Sequence, residues 1–267
     1  SSLATAATMG QVALPELKRA GYAGSLSSGA LAAGGTLGIL IPPSINLIIY
    51  GVLTNSSVPK LYLAGIIPGL LLAFLFMAVI VVACIARPAW GGQRVVATWG
   101  QRIASLVHLL PPAGIFLLVV GSIYAGLATP TEAAALGVVG ALILAAGFGR
   151  LKLAMLRQAL EGTMRSTAMI MLIVIAAGFL NFVMSAIGLT TAITSTVTDL
   201  GLSPAWTIVA IVIFYVILGC FMETLSMMIT TIPIVAPIMF ALGFEPIWFG
   251  IVLIVLVEMA LITPPVG

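Results

Sequence analysis

Four polar interruptions in an otherwise apolar chain carry the residues with chemistry to offer. The opening SSLATAATMG contributes Ser1, Ser2 and Thr5, and GGTLGILIPPS contributes Gly35, Thr36, Gly38 and Pro42. Further on, METLSM carries Glu223, Thr224 and Ser226, and VEMALITPPVG carries Glu258, Ala260, Thr263 and Pro264. Hydroxyls and unwound carbonyls are hard oxygen donors suited to a small cation such as Na⁺. A helix N-terminus offers free N–H groups and partial positive charge to an anion. Glu258 reads either as a contact for cation or substrate or as a partner for broken backbone. Glu223 reads as the architecture of a helix start or as a ligand.

The rest of the composition says where these groups must sit. Of the 267 residues 62% are hydrophobic and 6% charged, with a mean hydropathy of +1.29. A soluble domain cannot hide that much apolar surface. Runs such as Leu61–Ala86 suit a bilayer core, which takes roughly 20 apolar residues per helix. The chain is therefore expected to be an all-α integral membrane protein, and an ionisable group such as Glu258 inside it is a functional candidate. Cys84 and Cys220 lie in apolar runs and read as small buried hydrophobes. His108 reads as interfacial and Arg165 as a snorkelling side chain. One His, scattered carboxylates and no H-E-x-x-H, G-x-S-x-G or C-x-x-C argue against an enzyme. The net charge of +3 gives no argument for nucleic acid.

The elements follow from apolar runs and their breakers. The pattern predicts a helix over 2–19, an interrupted one over 25–53, and spans over 61–86, 106–127, 131–149 and 164–187. Two half-length helices follow over 204–221 and 225–241, then an interrupted span from 247. With 204–241 as a hairpin entering and leaving on one side, Lys18, Arg19, Arg87, Arg94, Arg102, Arg150, Lys152, Arg157 and Arg165 share one face. Lys60 falls opposite, so the larger group marks the cytoplasm. Leu189, Ile193, Val197 and Leu200 recur at helical spacing and predict an interfacial helix. Trp90–Ile103 reads as amphipathic or as a polar loop. Thr129-Pro130-Thr131-Glu132 fits a capping box.

Sliding the chain along itself until Ser1 meets Glu223 lays SSLATAATMG on ETLSMMITTI without a gap. In the same register Pro15 meets Pro237, Gly21 meets Gly243, and Pro42-Pro43 meets Pro264-Pro265. Lys18 and Arg19 flank the first copy where the second carries only Glu245, so the copies are expected to face opposite sides. Irregular backbone at membrane depth is tolerated only where protein or a cavity satisfies it. The expected architecture is an inverted-repeat transporter with two re-entrant hairpins and two broken transmembrane helices. The Ser1–Thr5 tip would pair with a Gly34–Pro43 break, and the Glu223–Ser226 tip with a Glu258–Pro265 break. Each pair would hold Na⁺, with an anion between the tips; the bland alternative is that the breaks are packing kinks. The division expected is 1–53 for the first hairpin arm and broken helix, 54–187 for scaffold helices, and 188–267 for the interfacial arm, second hairpin and second broken helix. Starting without Met and stopping in mid-helix, the chain reads as a fragment of a longer one.

Several long motifs together resemble one family. GGTLGILIPPSINLIIYGVLT, SSLATAATMG with ALPELKRAGY, GSIYAGLATPTEAAALGVVGAL, FMETLSMMITTIPIVAPIMFALGFEPIWFG and VEMALITPPVG are similar to the large membrane subunit of TRAP transporters, the DctM family. The resemblance covers nearly the whole chain in the family's order. It implies sodium-coupled uptake of organic acid anions, such as C4-dicarboxylates, across a bacterial inner membrane by an elevator-type motion. It also implies a periplasmic substrate-binding protein and a small membrane subunit as partners, Na⁺ as coupling ion and no other cofactor. A stand-alone sodium/dicarboxylate symporter of the same broad superfamily is the alternative, and a channel or scaffold a third class. Ala260 stands where the family usually has glycine, and Asn46 where proline is common.

Overall fold

Backbone polar groups find no water in a bilayer, which leaves helices as the way an apolar chain of this composition satisfies them. The computed structural model of the protein describes residues 2–93, 98–199, 201 and 203–263, and side chains other than those of residues 2–8, 190, 197 and 198. Among them no strand forms, and the helices run α1 Ser2–Arg19, α2 Gly24–Leu40, α3 Ile45–Thr54, α4 Val58–Ala86, α5 Trp99–Leu106 and α6 Leu110–Tyr124. Then come α7 Pro130–Gly147, α8 Leu153–Ala186, α9 Leu189–Asp199, α10 Pro204–Gly219, α11 Thr224–Ala241 and α12 Pro246–Leu261. Among the described residues six segments are long and apolar enough to cross a membrane: α2 with α3, α4, α5 with α6, α7, α8 and α11. The chain is an all-α, multi-pass membrane protein.

Residues 1–92 and 170–267 form one compact unit and 93–169 another. In the first, α12 packs against α2, α3, α4, α10 and α11, and α4 packs against α2 and α3. Glycines set these approaches. A Cβ on Gly65 would lie 2.9 Å from the Leu40 carbonyl oxygen, one on Gly69 2.7 Å from Ile41 Cγ1, and one on Gly250 2.5 Å from the Tyr50 ring. In the second unit α6 packs on α7, where a Cβ on Gly137 would lie 2.8 Å from Val119. The capping box that starts α7 is formed: the Thr129 side chain accepts from the Glu132 amide, and the Glu132 carboxylate accepts from the Thr129 amide at 2.7 Å.

The repeat is visible in the backbone. At the end of α1 the amides of Ala20, Gly21 and Tyr22 donate to the carbonyls of Glu16, Lys18 and Leu17 at 2.9, 3.1 and 3.0 Å. At the end of α11, Leu242, Gly243 and Phe244 donate to Ile238, Phe240 and Met239 at 3.1, 3.0 and 3.0 Å. Every donor and acceptor in one turn corresponds to its counterpart in the other in the register that lays Ser1 on Glu223. Gly21 and Gly243 both take left-handed backbone, with φ of 80° and 86°, as a helix C-terminus closed by a 6→1 hydrogen bond requires. The starts of α2 and α12, Gly24 and Pro246, obey the same register.

Three expectations are corrected. The first break is Ile41–Ser44, narrower than Gly34–Pro43, because glycines alone do not stop a helix whereas Pro42 and Pro43 remove successive N–H donors. α8 begins at Leu153 rather than near 164, so Arg157 lies on helix instead of in a loop. Its first turns hold strong helix formers and an i,i+4 pair, Arg157 Nε to Glu161 Oε1 at 2.6 Å. Trp90–Ile103 is not one amphipathic segment: Pro88–Trp90 form a 3₁₀ turn and α5 starts at Trp99, while Arg94 and Val96 lie outside the described residues. In both pieces a guanidinium stacks on indole, Arg87 over Trp90 at 4.7 Å and Arg102 over Trp99 at 5.0 Å. The helix expected after residue 188 is α9.

Candidate functional site

The second tip is built around a carboxylate cap. α10 ends at Gly219, and Glu223 takes extended backbone one residue before α11. Glu223 Oε2 accepts from the amides of Leu225 and Ser226 at 3.0 and 3.3 Å, and Oε1 accepts from Thr224 Oγ1 at 2.9 Å. Both oxygens therefore serve the start of α11, where a negative group also meets the helix dipole. Thr224 is buried and Ser226 half-buried, and the Ser226 carbonyl accepts from Thr230 Oγ1 at 2.6 Å. Tyr215 and Thr231 hydroxyls, 2.6 Å apart, tie α10 to α11.

This tip meets the end of α12. A Cβ on Gly219 would lie 2.1 Å from Ala260 Cβ, so the two backbones touch at a point where no side chain fits. Glu258 and Ala260 occupy the last turns of α12 and are buried; helix ends at Leu261, and Thr263 Oγ1 donates back to the Met259 carbonyl at 2.7 Å. Pro264, the remaining second-break candidate, lies outside the described residues.

The first break is held by a residue that sequence reasoning did not single out. Ser44 Oγ donates to the Ile39 carbonyl and accepts from the Leu47 amide at 3.4 Å, closing the end of α2 and capping the start of α3 with one hydroxyl. Tyr62 of α4 donates to the Ser44 carbonyl at 3.5 Å. The signal was present, since Ser directly after Pro-Pro and before an apolar run is an N-cap pattern. Pro42 and Pro43 are joined by a cis peptide. Gly35, Thr36 and Gly38 lie in the last turns of α2, still helical, with Thr36 Oγ1 donating to the Ala33 carbonyl at 2.8 Å. Ser2 and Thr5 lie in the first turns of α1, with side chains outside the description, and Ser1 lies outside the described residues.

Glu258 was grouped by sequence with the second break. Its carboxyl lies beside the Leu40 backbone amide, at the first, without completing a hydrogen bond of ordinary geometry. Asn46 Nδ2, at the start of α3, is likewise buried without a partner among the described residues. A separate cavity of about 530 Å³, lined by Thr54, Asn55, Asn181, Ser185, Pro233 and Pro237 among others, includes none of the tip or break residues.

The same C-terminal turn and the same onset of the following helix thus occur twice along one apolar chain. Residues 1–267 match the family described as the tripartite ATP-independent periplasmic transporter, DctM component. The chain belongs to the DctM family. It is 37% identical to the C4-dicarboxylate TRAP transporter large permease protein DctM of Pseudomonas aeruginosa, over 100% of this chain and 62% of that protein. It is 30% identical to the ectoine TRAP transporter large permease protein TeaC of Halomonas elongata, again over 100% and 62%. A 30% match to the isethionate TRAP transporter permease protein DctMQ of Oleidesulfovibrio alaskensis covers 100% of this chain and 42% of that protein. The chain thus spans about three fifths of the first two relatives. DctM proteins are transport proteins rather than enzymes.

Proposed function

We propose that this chain forms part of the large membrane subunit of a sodium-coupled, binding-protein-dependent importer of organic acid anions in a bacterial inner membrane. The observation that carries the reading is the duplicated unit: the same three-bond C-terminal turn, followed in the same register by a second helix that stops at or near a Pro-Pro pair. Inverted units of this kind put substrate and coupling ions near the bilayer midplane. In this reading 1–53 and 188–267 carry the cargo past scaffold helices of 54–187. Gly35, Thr36, Gly38 and Pro42 with the Ser1–Thr5 tip form one Na⁺ position. Glu223, Thr224, Ser226, Ala260, Thr263 and Pro264 form the other. The anion sits between the tips, where helix N-termini converge. The relatives' names span C4-dicarboxylate, ectoine and isethionate, and the carboxylate class follows the relatives named for C4-dicarboxylates.

The partners proposed are a small membrane subunit and a periplasmic binding protein. The full-length permease with its small subunit, reconstituted in liposomes, should take up labelled succinate only with an inward sodium gradient and the cognate binding protein. Full uptake without the binding protein would make it a stand-alone symporter; uptake indifferent to sodium would remove the coupling. The inverted arrangement has its own test. Ser203→Cys and Glu245→Cys, each alone in a cysteine-free background, should label from the periplasm, and labelling from opposite sides would turn 204–241 into a crossing.

A further inference from the structure

Glu258 and Thr36 correspond in the repeat register and occupy the same turn of their helices. Thr36 is satisfied inside its own helix. Glu258 is 3% exposed, and neither carboxylate oxygen has a hydrogen-bond partner among the described residues. The ion pairs among those residues, Arg19–Glu16 and Arg157–Glu161, lie on exposed helix surfaces and leave it uncompensated. An isolated buried charge is too costly to persist without a counter-charge or neutralisation.

What the carboxyl faces tells which counter-charge fits. It lies beside Leu40, on the last turn of α2 before the Ile41–Ser44 break. Pro42 has no N–H for the Gly38 carbonyl, and Pro43 has none for the Ile39 carbonyl, which Ser44 takes over. The Gly38 carbonyl thus lacks its helical donor on the same last turns of α2 that the unpaired carboxyl faces, and carbonyl and carboxylate oxygens are both ligands for a small hard cation.

We infer that Glu258 serves the first break rather than the second: repeat two lends its carboxylate to a monovalent cation held by the Leu40–Ser44 backbone of repeat one. The inference rests on the sodium-coupled reading above. It makes the two cation positions interdependent, because a shift of α12 against α2 moves the charge of one site with the helix that ends at the other.

The test reads each break separately. Full-length, cysteine-free permease with its small subunit carries either Ile45→Cys or Ile262→Cys, both exposed positions, and sodium protection against a maleimide is titrated at constant ionic strength with choline. E258Q should raise the sodium concentration for half-protection at position 45 about tenfold and leave position 262 within about twofold. E258D, which keeps the charge but withdraws it by one methylene, should shift position 45 by about threefold, and it gives a reading if E258Q does not accumulate. No shift at position 45 with either variant, or a shift at 262 instead, overturns the inference while leaving sodium coupling intact. Absence of sodium protection at 45 with Glu258 present removes the coupled site, and this inference with it.

Discussion

The two repeats close their first helices with the same three hydrogen bonds but back their breaks differently. In repeat one, Ser44 staples α2 to α3, and Gly65 and Gly69 let α4 lie directly against Leu40 and Ile41. In repeat two, the end of α12 lies against Gly219 of the neighbouring hairpin, while its last turns also face α2. The side chains diverge further: Thr36 corresponds to Glu258, Gly38 to Ala260, and Lys18 to Phe240. What the copies share is backbone punctuation, a left-handed glycine and a Pro-Pro pair, which fixes where helices stop. What they do not share is polar content, which is where two similar frames acquire different chemical tasks.

The strongest way to break the comparison is at Gly219. Its added Cβ would meet both Cβ and Cα of Ala260, at 2.1 and 2.8 Å, and backbone cannot yield as a flexible side chain does. Gly219→Ala should destabilise the purified full-length protein by about 2–3 kcal/mol, in the range of core overpacking. Adding Ala260→Gly should recover only part of the loss, since it removes the clash with Cβ and leaves the one with Cα. Thermal melting by fluorescence-detected size exclusion measures both. Additive losses would mean that Gly219 matters for helix geometry and not for this contact.

A smaller effect tests whether the turns are equivalent. Gly21→Ala and Gly243→Ala each force a Cβ into left-handed backbone, at about 1–2 kcal/mol. A Cβ on Gly243 would meet nothing within 4 Å, so conformational strain alone should set its penalty. The two melting shifts should agree within about 0.5 kcal/mol, the accuracy with which independent sites add. A clear inequality would show that one turn carries load from elsewhere in the protein.

These turns were legible in the sequence because glycine and proline act locally, through φ and through missing donors. Helix limits followed for the same reason, α1, α10 and α11 falling within two residues of the expected ends. The extension of α8 to Leu153 was missed because Arg157 and Glu161 look like a loop in a hydropathy reading. Helix propensity and the Arg157–Glu161 pair outweigh their polarity there. The reach of Glu258 to Leu40 had no sequence signal, since it follows from how α12 lies against α2, a contact between helices far apart in the chain. Ser44 lies between these cases: its position after Pro-Pro announces a cap, but not that the same hydroxyl also closes the helix before it.

The finest distinction concerns Thr36, the residue that Glu258 replaces in the second copy. Its hydroxyl hydrogen is engaged with the Ala33 carbonyl, which leaves its oxygen lone pairs as the chemical resource still open. Thr36→Val keeps shape and burial while deleting those lone pairs. The Ala33 carbonyl retains the capacity for its own helical hydrogen bond, so stability should change by less than about 1 kcal/mol. If the oxygen contributes to the cation position near the first break, the sodium concentration for half-maximal uptake should rise by about threefold, and Thr36→Ser should restore it. Because Thr36 is neutral and Glu258 carries the charge, its effect should stay below that of E258Q at the same break. A larger effect for Thr36→Val would reverse the assignment, making the first copy's hydroxyl the principal ligand and the second copy's carboxylate secondary.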